Sequence, residues 1–376
     1  MDKKNILFIT NSILPSIGGI EKVNELLRHL FEEDGNNCFF VFFSVDNVSV
    51  EENKKKKICL NQSRNSFYKE LNLFIKEHDI NIIINQGITY SRIIYSLKRI
   101  RKDFTNISII HCLHNTPYYI QRMGKPKSLK IKLILAIKTI LACKNVFVYE
   151  QQQIYKLCDH FVVLSQSFID EAKEVFRLKD NNKLTVISNP LIYNTMTNHK
   201  KQKKVLIVAR FDENQKNIIG ALNIWNIVSR QKPDWTLHIV GYGENEDRYK
   251  TYIKEQNIQN IIFEGKKEDT QPFYEKASIF MMTSYYEGFA LTLIEALQNK
   301  CIPFVYNTFS SVSDIIINEK NGIIIPPFEV DMYAQKMIDL MSDNILMENY
   351  RANSNISLMQ FEPLVIKQKW YELFNQ

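Results

Sequence analysis

The 376-residue sequence predicts an α/β protein built from two Rossmann-like, doubly wound halves. Short apolar runs alternate with longer helical patterns, which is typical of a parallel sheet covered by helices. A chain of this length exceeds what one hydrophobic core usually organises, so two domains are expected. A polar connector at residues 194–204 separates two such series. We therefore expect an N-terminal domain over residues 1–193 and a C-terminal domain over residues 205–359.

In the first half, apolar runs bounded by polar or glycine-rich turns predict strands, and apolar residues at helical spacing predict the helices between them. The predicted strands are Ile6–Thr10, Cys38–Ser44, Ile80–Asn85, Ser108–His111, His160–Leu164 and Leu184–Ile187. The predicted helices are Glu21–Glu33, Ser66–Glu77, Ser91–Arg101 and Ser165–Phe176.

The second half repeats this alternation, and a last helical pattern follows it. The predicted strands are Val205–Val208, Thr236–Val240, Ile261–Glu264, Ile279–Met282, Ile302–Val305 and Gly322–Ile325. The predicted helices are Asn217–Arg230, Glu246–Glu255, Thr292–Gln298 and Met332–Met341. Pro363–Phe374 predicts a short amphipathic helix that could pack on either half. The closing residues 360–376 could therefore join the N-terminal domain.

Composition places the chain among ordered, globular proteins, with 45% hydrophobic and 24% charged residues. The six cysteines are scattered without a CxxC pair, which indicates reduced thiols and a cytoplasmic protein. The apolar run at Ile6–Thr10 is shorter than that of a signal peptide. Lysines interrupt the longest apolar stretch, near Lys130–Cys143, so we expect no membrane-spanning helix.

The strongest local motif runs from Glu287 to Glu295, with seven residues between the two glutamates. It brackets a glycine turn and the start of a predicted helix, whose first amides and partial positive charge suit a phosphate group. Glu295, one turn into the helix, could accept hydrogen bonds from a ribose diol, and Glu287 could reach hydroxyls of a sugar. The motif therefore predicts a nucleotide site, and its intervening candidate residues are Gly288, Phe289, Ala290, Leu291 and Thr292.

Three further segments follow predicted strands, where ligands bind in doubly wound folds. Arg210 and Lys216 form a basic pair that can neutralise a diphosphate leaving group. The Gly18-Gly19 pair opens the first predicted helix, where glycine lets the backbone approach a phosphate or a sugar. His114 follows the strand at Ser108–His111.

These motifs, in this order, resemble the GT-B retaining glycosyltransferases often called family 4, or glycosyl transferases group 1. Gly241 and Gly265 also lie in segments similar to this family's strand-end glycine pair and nucleobase loop. Five residues separate Arg210 from Lys216, where the family more often has four. The resemblance covers residues 6 to about 330 and implies two domains that face each other across a cleft.

The resemblance also implies an activity, the transfer of a sugar from a nucleotide-diphosphate donor to a glycan or lipid-linked acceptor with retention of configuration. It implies that His114 and Glu287 face the donor sugar while Arg210 and Lys216 stabilise the leaving group. The sequence contains no D-x-D motif, so we expect a metal-independent reaction with the nucleotide-sugar as co-substrate and no cofactor.

Charge is unevenly placed in the first half. From Arg92 to Lys144 there are twelve Lys or Arg residues and one acid, Asp103. Residues 121–144 mix these lysines with apolar residues, which predicts a basic amphipathic helix able to lie on an anionic membrane surface. An ordinary packed helix with solvated lysines remains an open alternative. The lysines concerned are Lys125, Lys127, Lys130, Lys132 and Lys138.

Two other functional classes are compatible with part of this pattern. A nucleotide-sugar 2-epimerase shares the two-domain architecture, but its further acid/base carboxylates cannot be placed in the first half. A nucleic-acid-binding protein could use the formal charge of +7, but no recognition-helix pattern or basic strand interleaved with aromatics supports it. The glycosyltransferase, in bacterial surface polysaccharide synthesis, is the preferred interpretation.

Overall fold

The computed structural model describes residues 3–14, 18–43, 55–58, 62–118, 146–192 and 200–376. The chain divides into two compact units. The first comprises the described residues as far as Pro190 together with Pro363–Gln376, and the second is Leu191–Glu362.

The first unit contains a seven-stranded parallel sheet with the strand order β3-β2-β1-β4-β5-β6-β7. Its strands are β1 (Asn5–Thr10), β2 (Asn37–Phe42), β3 (Lys55–Lys57), β4 (Ile82–Asn85), β5 (Ser108–Leu113), β6 (His160–Val163) and β7 (Leu184–Val186). β1 and β4 are buried on both faces, as their nearly unbroken apolar sequences predict. The strand order reverses between these two strands, so ligands are expected at their carboxyl ends.

The helices of the first unit cover both faces of this sheet with their apolar residues. They are α1 (Gly19–Glu33), α2 (Arg64–Glu77), α3 (Ser91–Asp103), α4 (146–157) and α5 (Ser167–Val175). The C-terminal helix (Pro363–Phe374) belongs to this unit as well, because its Trp370 and Phe374 rings pack edge-on against Phe31 of α1. Burying such a side chain stabilises the fold by about 1.5–3 kcal/mol.

The second unit contains a six-stranded parallel sheet with the order β10-β9-β8-β11-β12-β13. Its strands are β8 (Gln202–Arg210), β9 (Thr236–Tyr242), β10 (Ile261–Gly265), β11 (Ala277–Met282), β12 (Ile302–Tyr306) and β13 (Ile323–Ile325). The order reverses between β8 and β11, which is where a doubly wound sheet binds its ligand.

Eight helices of the second unit connect or flank these strands in the described chain. They are α6 (Glu213–Lys216), α7 (Ile218–Gln231), α8 (Glu246–Glu255), α9 (Gln271–Lys276), α10 (Leu291–Gln298), α11 (Val312–Ile315), α12 (Val330–Ser342) and α13 (Asn344–Ala352). α7 and α12 pack on one face of the sheet around the buried side chains of Trp225 and Tyr333. The Trp225 indole N–H donates to Gln259 O at 2.9 Å, so burying the ring leaves its polar group satisfied.

The prediction of two doubly wound halves is confirmed. Each predicted strand and helix occurs, with ends that differ by up to three residues. One expected boundary was wrong, because the connector at 194–204 ends in strand: Gln202 pairs with Ala277 of β11 and Lys204 with Thr236 of β9. Polar side chains at the start of β8 concealed this, since sheet pairing is made by the backbone.

Candidate functional site

The loop after β8 is shaped by two side-chain caps. Asp212 accepts a hydrogen bond from the Asn214 N–H at 3.1 Å and begins the one-turn helix α6. Asn217 then adopts a left-handed conformation with φ 50°, and its Oδ1 accepts from the Gly220 N–H at 3.2 Å to begin α7. Lys216, the last residue of α6, is thereby placed beside the carboxyl end of β11.

Lys216 meets Glu287 of the loop after β11. The Lys216 Nζ lies 2.7 Å from Glu287 Oε1, and the two side chains are 16% and 7% exposed. Ser284 Oγ donates to the same carboxylate oxygen at 2.6 Å, and Gln215 Nε2 lies 3.4 Å from the other one. The Lys216 cation and the Glu287 carboxylate are therefore paired where the strand order of the second sheet reverses.

Arg210, the other predicted cation, ends β8 and is exposed. Its Nη2 lies 3.4 Å from Gln215 Oε1. Gln215 thus stands between Arg210 and the Glu287 carboxylate, within the loop where this chain departs from the usual spacing. Sequence reasoning missed Gln215 and Ser284, because their significance depends on side-chain directions that the linear spacing does not reveal.

The rest of the motif forms the turn into α10. Ala290 precedes the helix, and the Leu293 N–H donates to Ala290 O at 2.8 Å. Ser311 Oγ donates to Gly288 O at 2.6 Å, which fixes the turn. Glu295 is 5% exposed, so it is not an ordinary surface residue of a helix.

Three other predicted positions in the motif have different surroundings. Leu291 and Thr292 begin α10 and are partly exposed, which leaves the first turn of the helix accessible. Phe289 is 3% exposed and its ring packs edge-on against Phe361, so its side chain contributes to packing.

The glycines at the ends of β9 and β10 occupy backbone conformations that disfavour other residues. Gly241 has φ 154°, and a Cβ there would lie 1.8 Å from Ala209 O on the neighbouring strand. Gly265 has φ 74° with no atom within 4 Å of its would-be Cβ. Packing therefore requires glycine at position 241, whereas only the backbone conformation favours it at position 265.

In the first unit, Gly18 precedes α1 and Gly19 is its first residue. Glu21 lies in the first turn of this helix, and a Cβ on Gly18 would lie 3.0 Å from Glu21 Oε2. Residues 15–17 of the same predicted loop lie outside the described residues.

His114 follows β5, at the same carboxyl edge as Gly18. Its Nε2 lies 2.5 Å from Gln86 Oε1, while its Nδ1 is buried without a hydrogen-bond partner among the described residues. Burial lowers the pKa of His114 to about 4, so the imidazole is neutral at physiological pH. Gln86 follows β4 and was not singled out in the sequence, although its strand-end position was the available signal.

The basic residues predicted to meet a membrane, Lys125, Lys127, Lys130, Lys132 and Lys138, lie outside the described residues. Each helix in the described part of the chain is too short or too polar to span a bilayer. Within that part, no three His, Cys, Asp or Glu side chains come together in a group that could hold a metal ion.

Residues 194–356 match the family described as glycosyl transferases group 1. The matched range contains the Lys216–Glu287 pair and all of α10. Most of the second unit is therefore similar to group 1 glycosyltransferases. The match supports glycosyltransferase activity for the chain, and it includes Arg210 and Glu295.

Curated relatives extend the likeness beyond this domain. The chain is 24% identical over 355 residues to an uncharacterized glycosyltransferase of Haemophilus influenzae, covering 91% of each. It is 26% identical over 362 residues to the O-antigen biosynthesis glycosyltransferase WbnH of Escherichia coli, covering 93% of this chain and 92% of that protein. A poly(glycerol-phosphate) alpha-glucosyltransferase of Bacillus subtilis is 28% identical over 158 residues, or 42% of this chain, which spans 23% of that larger protein.

Solved structures agree on the fold. TarM superposes with a TM-score of 0.78 at 13% identity, covering 100% of this chain and 99% of that one. The pneumococcal O-GlcNAc transferase GtfA, in complex with UDP and GlcNAc, gives 0.77 at 14% identity and covers 100% and 99%. The chain therefore has the GT-B fold that the sequence predicted.

Proposed function

We propose that the chain is a retaining glycosyltransferase that moves a hexose or N-acetylhexosamine from a nucleotide-diphosphate donor to a glycan or lipid-linked acceptor. The single observation that carries the proposal is the pairing of Lys216 with Glu287 where the second sheet's strand order reverses. A group that stabilises a diphosphate and a group that recognises sugar hydroxyls are adjacent there. The relatives support a role in bacterial surface polysaccharide synthesis.

In the proposed reaction the nucleotide lies on the second unit, with its diphosphate near Arg210, Lys216 and the first turn of α10. Glu295 binds the ribose, and Glu287 binds the transferred sugar. Charge develops on the diphosphate as it leaves, so cations fixed nearby stabilise the transition state more than the ground state. Removing one such contact is expected to slow transfer about a hundredfold.

The proposed chemistry needs no covalent attachment to the protein. The acceptor oxygen forms a bond to the anomeric carbon on the face that the leaving group occupied, while the bond from that carbon to the phosphate oxygen breaks. The departing phosphate oxygen takes the acceptor's proton, which balances the charge. His114 is neutral and would support the sugar by hydrogen bonding rather than by charge.

We propose that the acceptor is either lipid-linked at a membrane surface or a soluble glycan. Whether the basic segment at residues 121–144 binds membrane distinguishes these two alternatives. If this segment binds membrane, the protein co-sediments with anionic vesicles at low salt and is released at high salt. Charge-neutral substitutions at Lys127, Lys130 and Lys138 should then abolish co-sedimentation. Unchanged sedimentation of that variant would favour a soluble acceptor.

A thermal-shift screen of nucleotide-sugars tests the donor site, because a ligand at a hundred times its Kd stabilises the folded state by about 2.7 kcal/mol. We expect one donor to raise the melting temperature of the wild type and to lose this effect with Arg210→Ala, Lys216→Ala or Glu295→Ala. Lys203→Ala is the matched control, since Lys203 also lies on β8 but pairs with Asp234 at the surface.

The same preparations test the reaction. Donor and acceptor together should give a product with the anomeric configuration of the donor, detectable by NMR. Donor alone should give no new nucleotide-sugar, which an epimerase would make. If all three donor-site variants respond to the donor as the wild type does, the site assignment is wrong.

A further inference from the structure

Gln86 occupies a position that the proposed function does not explain. It follows β4 at the carboxyl edge of the first sheet, where the strand order reverses between β1 and β4. Its side chain is buried, with the residue 3% exposed. Its backbone N–H donates to Ile9 O of β1 at 2.9 Å, and its Oε1 lies 2.5 Å from His114 Nε2. The hydrogen bond to β1 thus fixes the backbone of Gln86, and the contact with the imidazole fixes the end of its side chain.

The turn after Gln86 also packs against the imidazole. Gly87 has φ 76°, and a Cβ on it would lie 3.4 Å from Cys112 O and 3.7 Å from His114 Cδ2. A larger residue would therefore be strained in the backbone, while its Cβ would make ordinary van der Waals contact with Cys112 O and the His114 ring. The turn after Gln86 thus lies next to the imidazole.

The chemistry of the contact determines where the imidazole proton lies. A carboxamide oxygen only accepts hydrogen bonds, so the partner nitrogen Nε2 must carry the proton. A neutral imidazole has one N–H, which leaves Nδ1 with its lone pair. That Nδ1 is buried without a partner among the described residues, as is Gln86 Nε2. Both residues line one small cavity, together with Ser188, Asn189 and Trp370.

We infer that Gln86 is a positioning residue, which holds His114 as the Nε2–H tautomer and keeps Nδ1 as an acceptor for a sugar hydroxyl. The inference rests on the proposed function only in the identity of that hydroxyl. Gln86 acts through His114, and the tautomer itself can be observed without any substrate.

The surroundings leave Gln86 as the group that sets the imidazole's state. Cys112 is the other titratable residue among the described residues that line the cavity, and burial raises the pKa of its thiol. His111, three residues earlier on β5, is within 3.0 Å of Asn85 Nδ2, and burial lowers its pKa to about 3. α1 contributes Val23 and Leu27 to the cavity, and β6 and the residue after it contribute Val162 and Leu164. The described groups facing the ring are therefore uncharged at neutral pH.

Nitrogen NMR of the imidazole side chains, with His114→Gln used for assignment, tests the inference directly. Wild-type His114 should show a protonated Nε2 and an unprotonated Nδ1. Gln86→Met keeps the side-chain length but removes the acceptor, so it should give a mixture of tautomers and a kcat/KM about tenfold lower. Gln152→Met is the control, because Gln152 of α4 donates to Phe176 O at 2.8 Å and does not line the cavity.

Gln86→Glu provides a second, independent readout. Its carboxylate still accepts the Nε2 proton, so transfer near pH 8 should recover to within about threefold of wild type. The new negative charge should also raise the pKa of His114, so that transfer falls as the pH drops and Nδ1 becomes protonated. The wild type should show no such step above pH 6.

Two results would overturn the inference: a proton on Nδ1 in the wild type, or an unchanged tautomer in Gln86→Met. A flat pH profile of transfer in Gln86→Glu, with the tautomer changed in Gln86→Met, would instead show that His114 does not act in transfer. If Gln86→Met changes the tautomer but transfers sugar at the wild-type rate, the Gln86–His114 contact is supported and His114 is removed from the proposed function. The two proposals can therefore fail separately.

Discussion

At the scale of single residues, the Lys216–Glu287 pair has both a structural and a functional consequence. Removing one partner leaves the other charge nearly buried, at an expected cost of about 3 kcal/mol. Lys216→Met and Glu287→Gln should each destabilise the protein, and the double variant should lose less than their sum by about 1–3 kcal/mol. Chemical unfolding of the four proteins measures this coupling. Strictly additive losses would show that the contact contributes little.

The two strand-end glycines should respond differently to alanine. Gly241→Ala places a Cβ 1.8 Å from Ala209 O, so β8 and β9 must separate and the expected loss exceeds about 3 kcal/mol. Gly265→Ala meets no atom within 4 Å and should cost about 1 kcal/mol, from its backbone conformation alone. Thermal unfolding compares them. Equal losses would contradict the packing explanation.

Residue identity alone predicted where polar groups follow strands, but not which way each side chain points. Phe289 was predicted as a donor-site residue, and the direction of its ring, which packs against Phe361, could not be predicted from its position. Gln86 was overlooked because a single glutamine has no distinctive spacing, and its contact joins residues 28 positions apart. Such contacts depend on strand order, which the sequence pattern does not determine.

At the scale of elements, Lys201 links the ends of two helices of the second unit. Its Nζ donates to Tyr274 O in α9 at 2.8 Å and to Asn299 O just after α10 at 2.5 Å. These carbonyls lack partners within their own helices, so a cation there suits both helix ends. Burial nevertheless lowers the pKa of Lys201 to about 8.

This lowered pKa predicts how stability changes with pH. Between pH 8 and the ordinary lysine pKa of about 10.4, the unfolded chain binds the proton that the folded chain has lost. Stability contributed by this group should therefore rise with pH across that window, and stay constant below it. Relative to Lys201→Met, the wild type should gain about 2–3 kcal/mol from pH 8 to 10.4, measured by unfolding at each pH. Lys203 is exposed, so Lys203→Met is the control. If the wild type gains as much stability relative to Lys203→Met as it does relative to Lys201→Met, the effect does not come from Lys201.

The elements most easily predicted were those with strong apolar periodicity. β3 was missed because three consecutive lysines show no strand pattern, and it is recognised only by pairing with β2. α6 was missed because a single turn is too short for periodicity, although Asp212 and Asn217 are residues that cap helices. Both lie next to longer elements whose positions the sequence did predict.

At the scale of the whole molecule, residues 194–356 match a glycosyltransferase family, while the likeness of the first unit comes from relatives that are 24–26% identical over nearly the full chain. In such a fold, the sequences that bind the acceptor vary because they recognise many different substrates. A common sequence profile is therefore harder to detect in the acceptor-binding domain. The acceptor must therefore be found by experiment.

The proposed use of protein cations predicts transfer that does not require a divalent metal. Arg210, Lys216 and the first turn of α10 supply positive charge near the proposed diphosphate position, and the sequence has no D-x-D motif. Transfer should therefore persist when EDTA removes divalent ions. It should weaken as sodium chloride is raised, because salt screens the attraction between the exposed Arg210 and the donor. Assays with EDTA, and then with manganese added back, measure this, and Lys216→Ala shows whether manganese can replace the lost charge. Complete loss of wild-type transfer in EDTA, restored by manganese, would contradict the proposed mechanism.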